Sequence, residues 1–225
     1  MIDKKEKIDL KEEKKTEKVD REIYWVLGVM LGLIIIFLAA NSFFQSLKTF
    51  EYEGLSFSKE KFGDIPVFHY YYYTFPRSIT GSVTNEQPKQ INIYLRNDPR
   101  ENPVQINEEI EFQPKNHPIY ISTNVTGLEE CKPSVGISTL SAFLSQNGHK
   151  LIGAIPDMEQ AINEDIRYAN CGSSSGSNVI LIQKGEETKI TRNEDCYIID
   201  VNQCEIIPAV EKFIVQTIID AKARQ

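Results

Sequence analysis

The sequence predicts an α/β fold, with α+β as the alternative: one N-terminal transmembrane helix followed by a mixed β-sheet domain with packed helices. Three observations predict it. Seventeen residues without a charge run from Tyr24 to Ala40 (YWVLGVMLGLIIIFLAA). Residues 50–123 alternate in character and are rich in β-branched and aromatic residues. Beyond residue 123, helical and strand-like patterns take turns.

The first 22 residues carry eight basic and eight acidic side chains, mixed, with almost no apolar ones. Such a segment buries too little surface to fold alone, so residues 1–22 are expected to be a disordered cytoplasmic tail. Its acids cancel its lysines and weaken any attraction to anionic lipid. The apolar run continues through Phe43, Phe44 and Leu47, which brings it to the lower end of what spans a bilayer as a helix. Tyr24 and Trp25 at one end and Phe43 and Phe44 at the other are placed as interfacial aromatics. Residues 23–46 are therefore read as a transmembrane helix. A cleaved signal peptide would have a shorter apolar region, of about 7 to 15 residues, and a small-x-small site. Leu38-Ala39-Ala40 matches that site poorly, which favours an uncleaved signal-anchor. Eight positive residues precede the span and only Lys48, Lys59 and Lys61 follow closely. The N-terminus is expected in the cytoplasm and the C-terminal domain outside, in the cell membrane of a single-pass protein.

Residues 50–123 are expected to form the β-rich part of the outer domain. Strand patterns occur at 52–57, 65–75, 89–95, 108–112 and 118–123, and turn signals separate them at Gly63-Asp64, Pro76 to Gly81, Asn97-Asp98-Pro99 and Pro114 to Pro118.

Residues 124–225 are expected to form its α/β part. Ser134 to Asn147 has helical spacing through Val135, Ile137, Leu140, Phe143 and Leu144, opened by Pro133 and closed by Gly148. A short strand at 151–155 leads to an amphipathic helix at 157–169, with Asp157 as its cap. Strands follow at 178–183 and 196–201, with 188–191 as a hairpin arm. The chain ends in a helix from about Pro208 to Ala223, whose apolar stripe is Val210, Phe213, Ile214, Thr217, Ile218 and Ala221.

All four cysteines, Cys131, Cys171, Cys196 and Cys204, fall in this last part. An even count in an oxidising compartment predicts two disulfides, and no pair has the close spacing of a four-thiolate zinc site. Cys131 and Cys204 each lie past a strand end and before a helix, at one sheet edge; Cys171 follows a helix and Cys196 begins a strand, at the other. A six-residue strand spans about 20 Å, too long for a Cys196 to Cys204 bridge with Cα atoms about 5.5 Å apart. The expected pairs are Cys131 with Cys204 and Cys171 with Cys196.

After Glu22 the chain has 17 Lys and Arg against 24 Asp and Glu, the full net charge of -7. An acidic domain argues against a nucleic-acid partner. Signals for catalysis, metals or cofactors are weak. His69, His117 and His149 have no partner at a recognised spacing, and H-E-x-x-H, P-loop and G-x-G-x-x-G patterns do not occur. The run CGSSSGSN (171–178) enters a strand and contains no Lys or Arg, so it reads as a connector. Ser134, in KPSVG, opens a helix whose free N–H groups favour an anion, although capping explains it equally. In YLRNDPR (94–100), Asn97-Asp98-Pro99 is strand-exit chemistry. Arg96 and Arg100 are left over, either pairing with carboxylates such as Asp98, Glu101 or Glu108 or forming an anion or partner contact. HYYYYTF (69–75) puts Tyr70 and Tyr72 on one strand face and Tyr71 and Tyr73 on the other, so that one pair offers a contact for partners or glycans. Asn124-Val125-Thr126 is a glycosylation sequon.

The single span, YLRNDPR after a strand, Cys131, Cys171 and the terminal DCYIIDVNQCEIIPAVEKFIVQTI together resemble a set of uncharacterised single-span archaeal membrane proteins with cysteine-bearing outer α/β domains. The resemblance covers most of residues 50–220 and implies membrane anchoring but no activity. The expected function is a membrane-anchored extracytoplasmic domain that binds or scaffolds an envelope component, protein or glycan, without catalysis. The alternatives are an envelope enzyme, hydrolase or thiol-disulfide oxidoreductase, and an accessory subunit of a membrane complex.

Overall fold

The computed structural model describes residues 24–43, 48–74, 87–113, 117–172 and 176–224. The expected tail at 1–22, the turn at Pro76 to Gly81 and most of the turn after Pro114 lie outside them. The chain divides into two units, Met1–Thr49 and Phe50–Gln225. In the first, α1 (Tyr24–Phe43) is a helix of 20 residues with a mean hydropathy of 2.4 and none of its apolar stretch buried. At about 1.5 Å per residue it is long and apolar enough to cross a bilayer.

The second unit is a mixed α/β domain with two sheets. The smaller contains β1 (Thr49–Tyr52), β2 (Leu55–Phe62), β3 (Ile65–Thr74) and β4 (Lys89–Leu95) in that order. The segment expected as one strand at 52–57 is a turn between two strands. Glu53 and Gly54 both take positive φ (48° and 73°), the geometry that lets a two-residue loop join twisted antiparallel strands. β4 alternates cleanly, with Ile91, Ile93 and Leu95 buried and Gln90, Asn92 and Tyr94 exposed.

The larger sheet orders β5 (Gln105–Ile106), β6 (Ile119–Thr123), β7 (Leu151–Ile155), β8 (Arg167–Tyr168), β9 (Asn178–Lys184), β10 (Lys189–Asn193) and β11 (Cys196–Val201) as β5-β10-β11-β9-β6-β7-β8. β8, β7, β6, β9 and β11 are mutually parallel and β10 is antiparallel to β11. β9 reads Asn-Val-Ile-Leu-Ile with all five residues buried, as a central parallel strand covered on both faces must be. Among the described residues three α-helices complete the domain: α2 (Ser134–Gln146), α3 (Met158–Asn163) and α4 (Ile206–Ala223).

α4 explains how the two sheets share a core. Phe213 packs edge-on against Tyr197 of β11, with ring centroids 5.5 Å apart, while Lys212 Nζ donates to the Tyr52 hydroxyl of β1 (3.3 Å). Its buried residues include Ile206, Ala209, Glu211, Phe213, Val215 and Ile218, so it is covered around its circumference rather than along one stripe. Ala221, expected in that stripe, is exposed. One hydrophobic cluster runs from Leu55, Phe57 and Ile91 through α4 to Ile180 and Ile199. On the far face of the larger sheet, Val179, Leu181 and Cys196 form a second cluster with Tyr120, Cys171 and Ile198.

Two expected elements differ. The helix expected over 157–169 ends at Asn163: Asp157 caps it by accepting from the Gln160 N–H (2.7 Å), but Met158, Ile162 and Ile166 are exposed and give the apolar stripe nothing to pack against. Asp165 turns the chain at φ 53°, and Arg167–Tyr168 join the sheet edge. The strand expected at 108–112 is irregular. Its backbone bonds to side chains instead, the Ile110 N–H to Asp220 Oδ2 (2.7 Å) and the Glu111 N–H to the Tyr197 hydroxyl (2.7 Å).

Candidate functional site

The outward face of the smaller sheet carries the most concentrated exposed chemistry among the described residues. Side chains alternate across a strand, so a β3 whose Tyr70 and Tyr72 turn toward the core presents Tyr71 and Tyr73 to solvent. They are 52% and 56% exposed, and Tyr94 of β4 is 48% exposed. Register brings the rest into place: His69 lies opposite Tyr94, Tyr71 opposite Asn92 and Tyr73 opposite Gln90. The His69 ring stacks on Tyr94 with centroids 4.5 Å apart, and Tyr73 stands edge-on to Tyr71 at 6.0 Å.

Polar groups on this face are already ordered. His69 Nδ1 lies 2.8 Å from Glu60 Oε1 and His69 Nε2 lies 3.0 Å from Asn92 Oδ1. The Ser58 hydroxyl donates to Glu60 (2.9 Å) and the Gln90 amide donates to Asn92 Oδ1 (2.8 Å). The Ser58 and His69 bonds hold the Glu60 carboxyl below the usual carboxylate range. On the inner face, burial pushes the Tyr72 hydroxyl up to about 12, so it stays protonated and donates to Asn147 Oδ1 (2.8 Å). The result is a row of rings edged by hydrogen-bonded amide and carboxylate groups, suited to stacking and hydrogen bonding.

Arg96 and Arg100 follow β4 on one turn but have different surroundings. Arg100 grips Asp98 through Nε (3.0 Å) and Nη2 (2.6 Å) and lies over the Phe50 ring at 3.9 Å. Arg96 has an exposed side chain; its backbone N–H donates to Glu211 Oε1 (2.6 Å), and its guanidinium charge favours the same carboxylate without a hydrogen bond to it. Glu211 Oε2 accepts from the Asn97 N–H (3.1 Å) and side-chain amide (2.7 Å). This buried carboxylate, raised by burial and held back by those bonds, is a residue that sequence reasoning missed. Its one signal is a Glu lying between the apolar pairs Ala209-Val210 and Phe213-Ile214 of α4.

The remaining candidates lie elsewhere. Ser134 is exposed at the start of α2, where Pro133 holds the cap position without a side-chain bond, so the expected capping by Ser134 is absent. Asn124 begins a turn in which its Oδ1 accepts from the Thr126 N–H (3.1 Å). The bridges are Cys131–Cys204 and Cys171–Cys196, with Cα atoms 4.9 and 5.3 Å apart.

Two other places where chemistry would be sought hold contacts of the chain with itself. An open α/β sheet holds its ligand beyond the strand ends where the winding reverses, here between β6 and β9. The chain's own loop occupies that crevice: the Asn124 N–H donates to the Ile182 carbonyl (2.9 Å), and a Cβ on Gly127 would sit 2.7 Å from Lys184 Cδ. An open cleft of about 520 Å³ lies between residues 106–109 and the end of α4. Two of the three acids that line it are engaged, Asp220 by Ile110 and Gln216, and Glu109 by Arg224.

Gly172-Ser173-Ser174-Ser175-Gly176 has the G-x-S-x-G spacing of a nucleophile elbow, a motif that requires a strand before it and a helix after it. Here β9 follows, and Ser173 to Ser175 lie outside the described residues. No family model, curated protein or solved structure matches the chain.

Proposed function

We propose that this is a single-span membrane protein, N-terminus cytoplasmic, whose outer domain docks an envelope glycan on the tyrosine face without catalysing a reaction. The exposed row of Tyr71, Tyr73 and Tyr94 carries the reading, edged by Gln90, Asn92 and Glu60 of the same sheet face. Aromatic rings stack on the apolar faces of sugars while amides and carboxylates bond their hydroxyls. The basic excess ahead of α1 supports the orientation, and the two disulfides support an oxidising compartment. The resemblance to archaeal single-span proteins belongs to the same reading, as does use of the Asn124 sequon.

The oxidoreductase alternative finds less support. Both bridges are closed and no described cysteine is free, whereas a redox thiol needs access and a lowered pKa; Cys196 is buried, although Cys204 of the other bridge is exposed.

The reading is tested with full-length protein in nanodiscs, exposed to polysaccharide and protein fractions of an envelope extract. Wild type should retain polysaccharide, and Y71S/Y73S/Y94S should lose at least about tenfold in affinity, the effect of 1.4 kcal/mol. Retention of protein alone would replace glycan by a protein partner, and unchanged retention by the triple variant would overturn the site.

A further inference from the structure

At the opposite end of the same sheet face, the β2–β3 turn presents Phe62 and Ile65, 77% and 56% exposed. They are cross-strand partners on either side of Gly63-Asp64, so they form one apolar pair at the tip of a two-residue hairpin. Exposed apolar residues scattered singly are ordinary; the position of this pair is not. The two-residue turn at Glu53-Gly54 makes β1 and β2 antiparallel and sets Tyr52 beside Leu55 and Thr49 beside Ser58. β2 continues past that point through Lys59, Glu60, Lys61 and Phe62, which at about 3.3 Å per residue is roughly 13 Å. The tip therefore lies at the end of the sheet where the chain enters the domain, and it overshoots the entry.

Covalent geometry bounds how far that entry can be from a bilayer holding α1. Only residues 44–48 separate Phe43 from Thr49, and six fully extended steps reach at most about 21 Å. Of the sheet's two ends, the one bearing Phe62 and Ile65 is the end at which the chain enters.

We infer that the β2–β3 tip is a membrane-interface contact, with Phe62 and Ile65 entering the headgroup and upper acyl region while the exposed Lys61 amine meets lipid phosphate. An aromatic and a branched side chain beside a long cationic one is the chemistry interfacial segments use. The inference rests on the proposed anchoring by α1. It also gives the domain a direction: Tyr73 stands eight residues beyond Ile65 along β3, about 27 Å away, so the tip contact holds the tyrosine face clear of the bilayer.

Trp25 is the sole tryptophan and lies in α1, which allows a clean test. Full-length protein is placed in nanodiscs of phosphatidylcholine and phosphatidylglycerol with brominated acyl chains. Wild type reports on the anchor, W25F/F62W on the tip and W25F/Y71W on the tyrosine face. Tip emission should be blue-shifted and quenched at least about twofold, as for an interfacial indole, while the Tyr71 reporter should be unaffected. Quenching in wild type with a solvent-like, unquenched tip reporter would overturn this inference and leave the anchor standing. Absence of quenching in wild type would overturn both.

Discussion

Glu211 is the carboxylate on which the corner after β4 depends, because both its oxygens are used by donors 114 or 115 residues away in sequence. Glutamine offers one oxygen and turns an NH₂ toward the remaining donors. Glu211→Gln should therefore cost about 2 kcal/mol in urea denaturation, the penalty for unpaired buried donors. Arg96→Ala should cost less than about 1 kcal/mol, since it keeps the backbone donor to Glu211 and removes only the attraction of an exposed guanidinium for that carboxylate. Burial raises the Glu211 pKa, so the folded chain binds this proton more readily than the unfolded one. Its contribution to stability is complete below the ordinary carboxylate range and is lost as pH rises through the raised value. Asp98 runs the other way. The Arg100 side chain lowers it, and its contribution is lost as pH falls. A stability profile from pH 3 to 8 (about the span over which carboxyls and histidines titrate) should lose its alkaline decline in Glu211→Gln, whereas Asp98→Asn should lower stability near neutral pH and make the acid-side decline shallower, converging with wild type at pH 3. Asn97-Asp98-Pro99 is legible as a turn because that chemistry is local. The partner that clamps it is not, because nothing near residue 96 points to residue 211.

At the scale of elements, legibility follows packing. α2 is readable because Leu140, Phe143 and Leu144 are buried as their spacing implies. α3 is overestimated because an amphipathic pattern states what a helix can bury, not whether a partner exists, and Ile162 is 73% exposed. α4 is read as one-sided because a stripe is the usual case, yet Val215 and Glu211 also belong to buried surfaces once two sheets flank the helix. The cysteines carry the remaining constraint. Their sequence separations are 73 and 25 residues, for which loop entropy implies about 4.4 kcal/mol from Cys131–Cys204 and about 3.5 kcal/mol from Cys171–Cys196. Paired serine replacements should lower stability in that order. Loss of Cys171–Cys196 should also speed hydrogen exchange in residues 167–172, the segment that carries Cys171 onto the second apolar cluster.

For the whole molecule, two ends of one sheet face carry two kinds of chemistry, an apolar tip at the chain's entry and a ring-and-amide face beyond it. The tyrosine run is visible in the sequence and its alternation predicts an exposed pair. Tyr94, Gln90 and Asn92 join that pair only through the β3–β4 register, which no local pattern encodes. Glycan docking and tip insertion should be separable, F62S/I65S changing the orientation of the domain on the bilayer and Y71S/Y73S/Y94S changing retention alone. Hydrogen-deuterium exchange of full-length protein in nanodiscs, with and without envelope polysaccharide, decides whether the tyrosine face is the docking surface. Protection confined to residues 65–74 and 87–95 is the expected result. Protection centred on the cleft near Glu108 and Arg224 or on the loop after β6, with β3 and β4 unchanged, would contradict it.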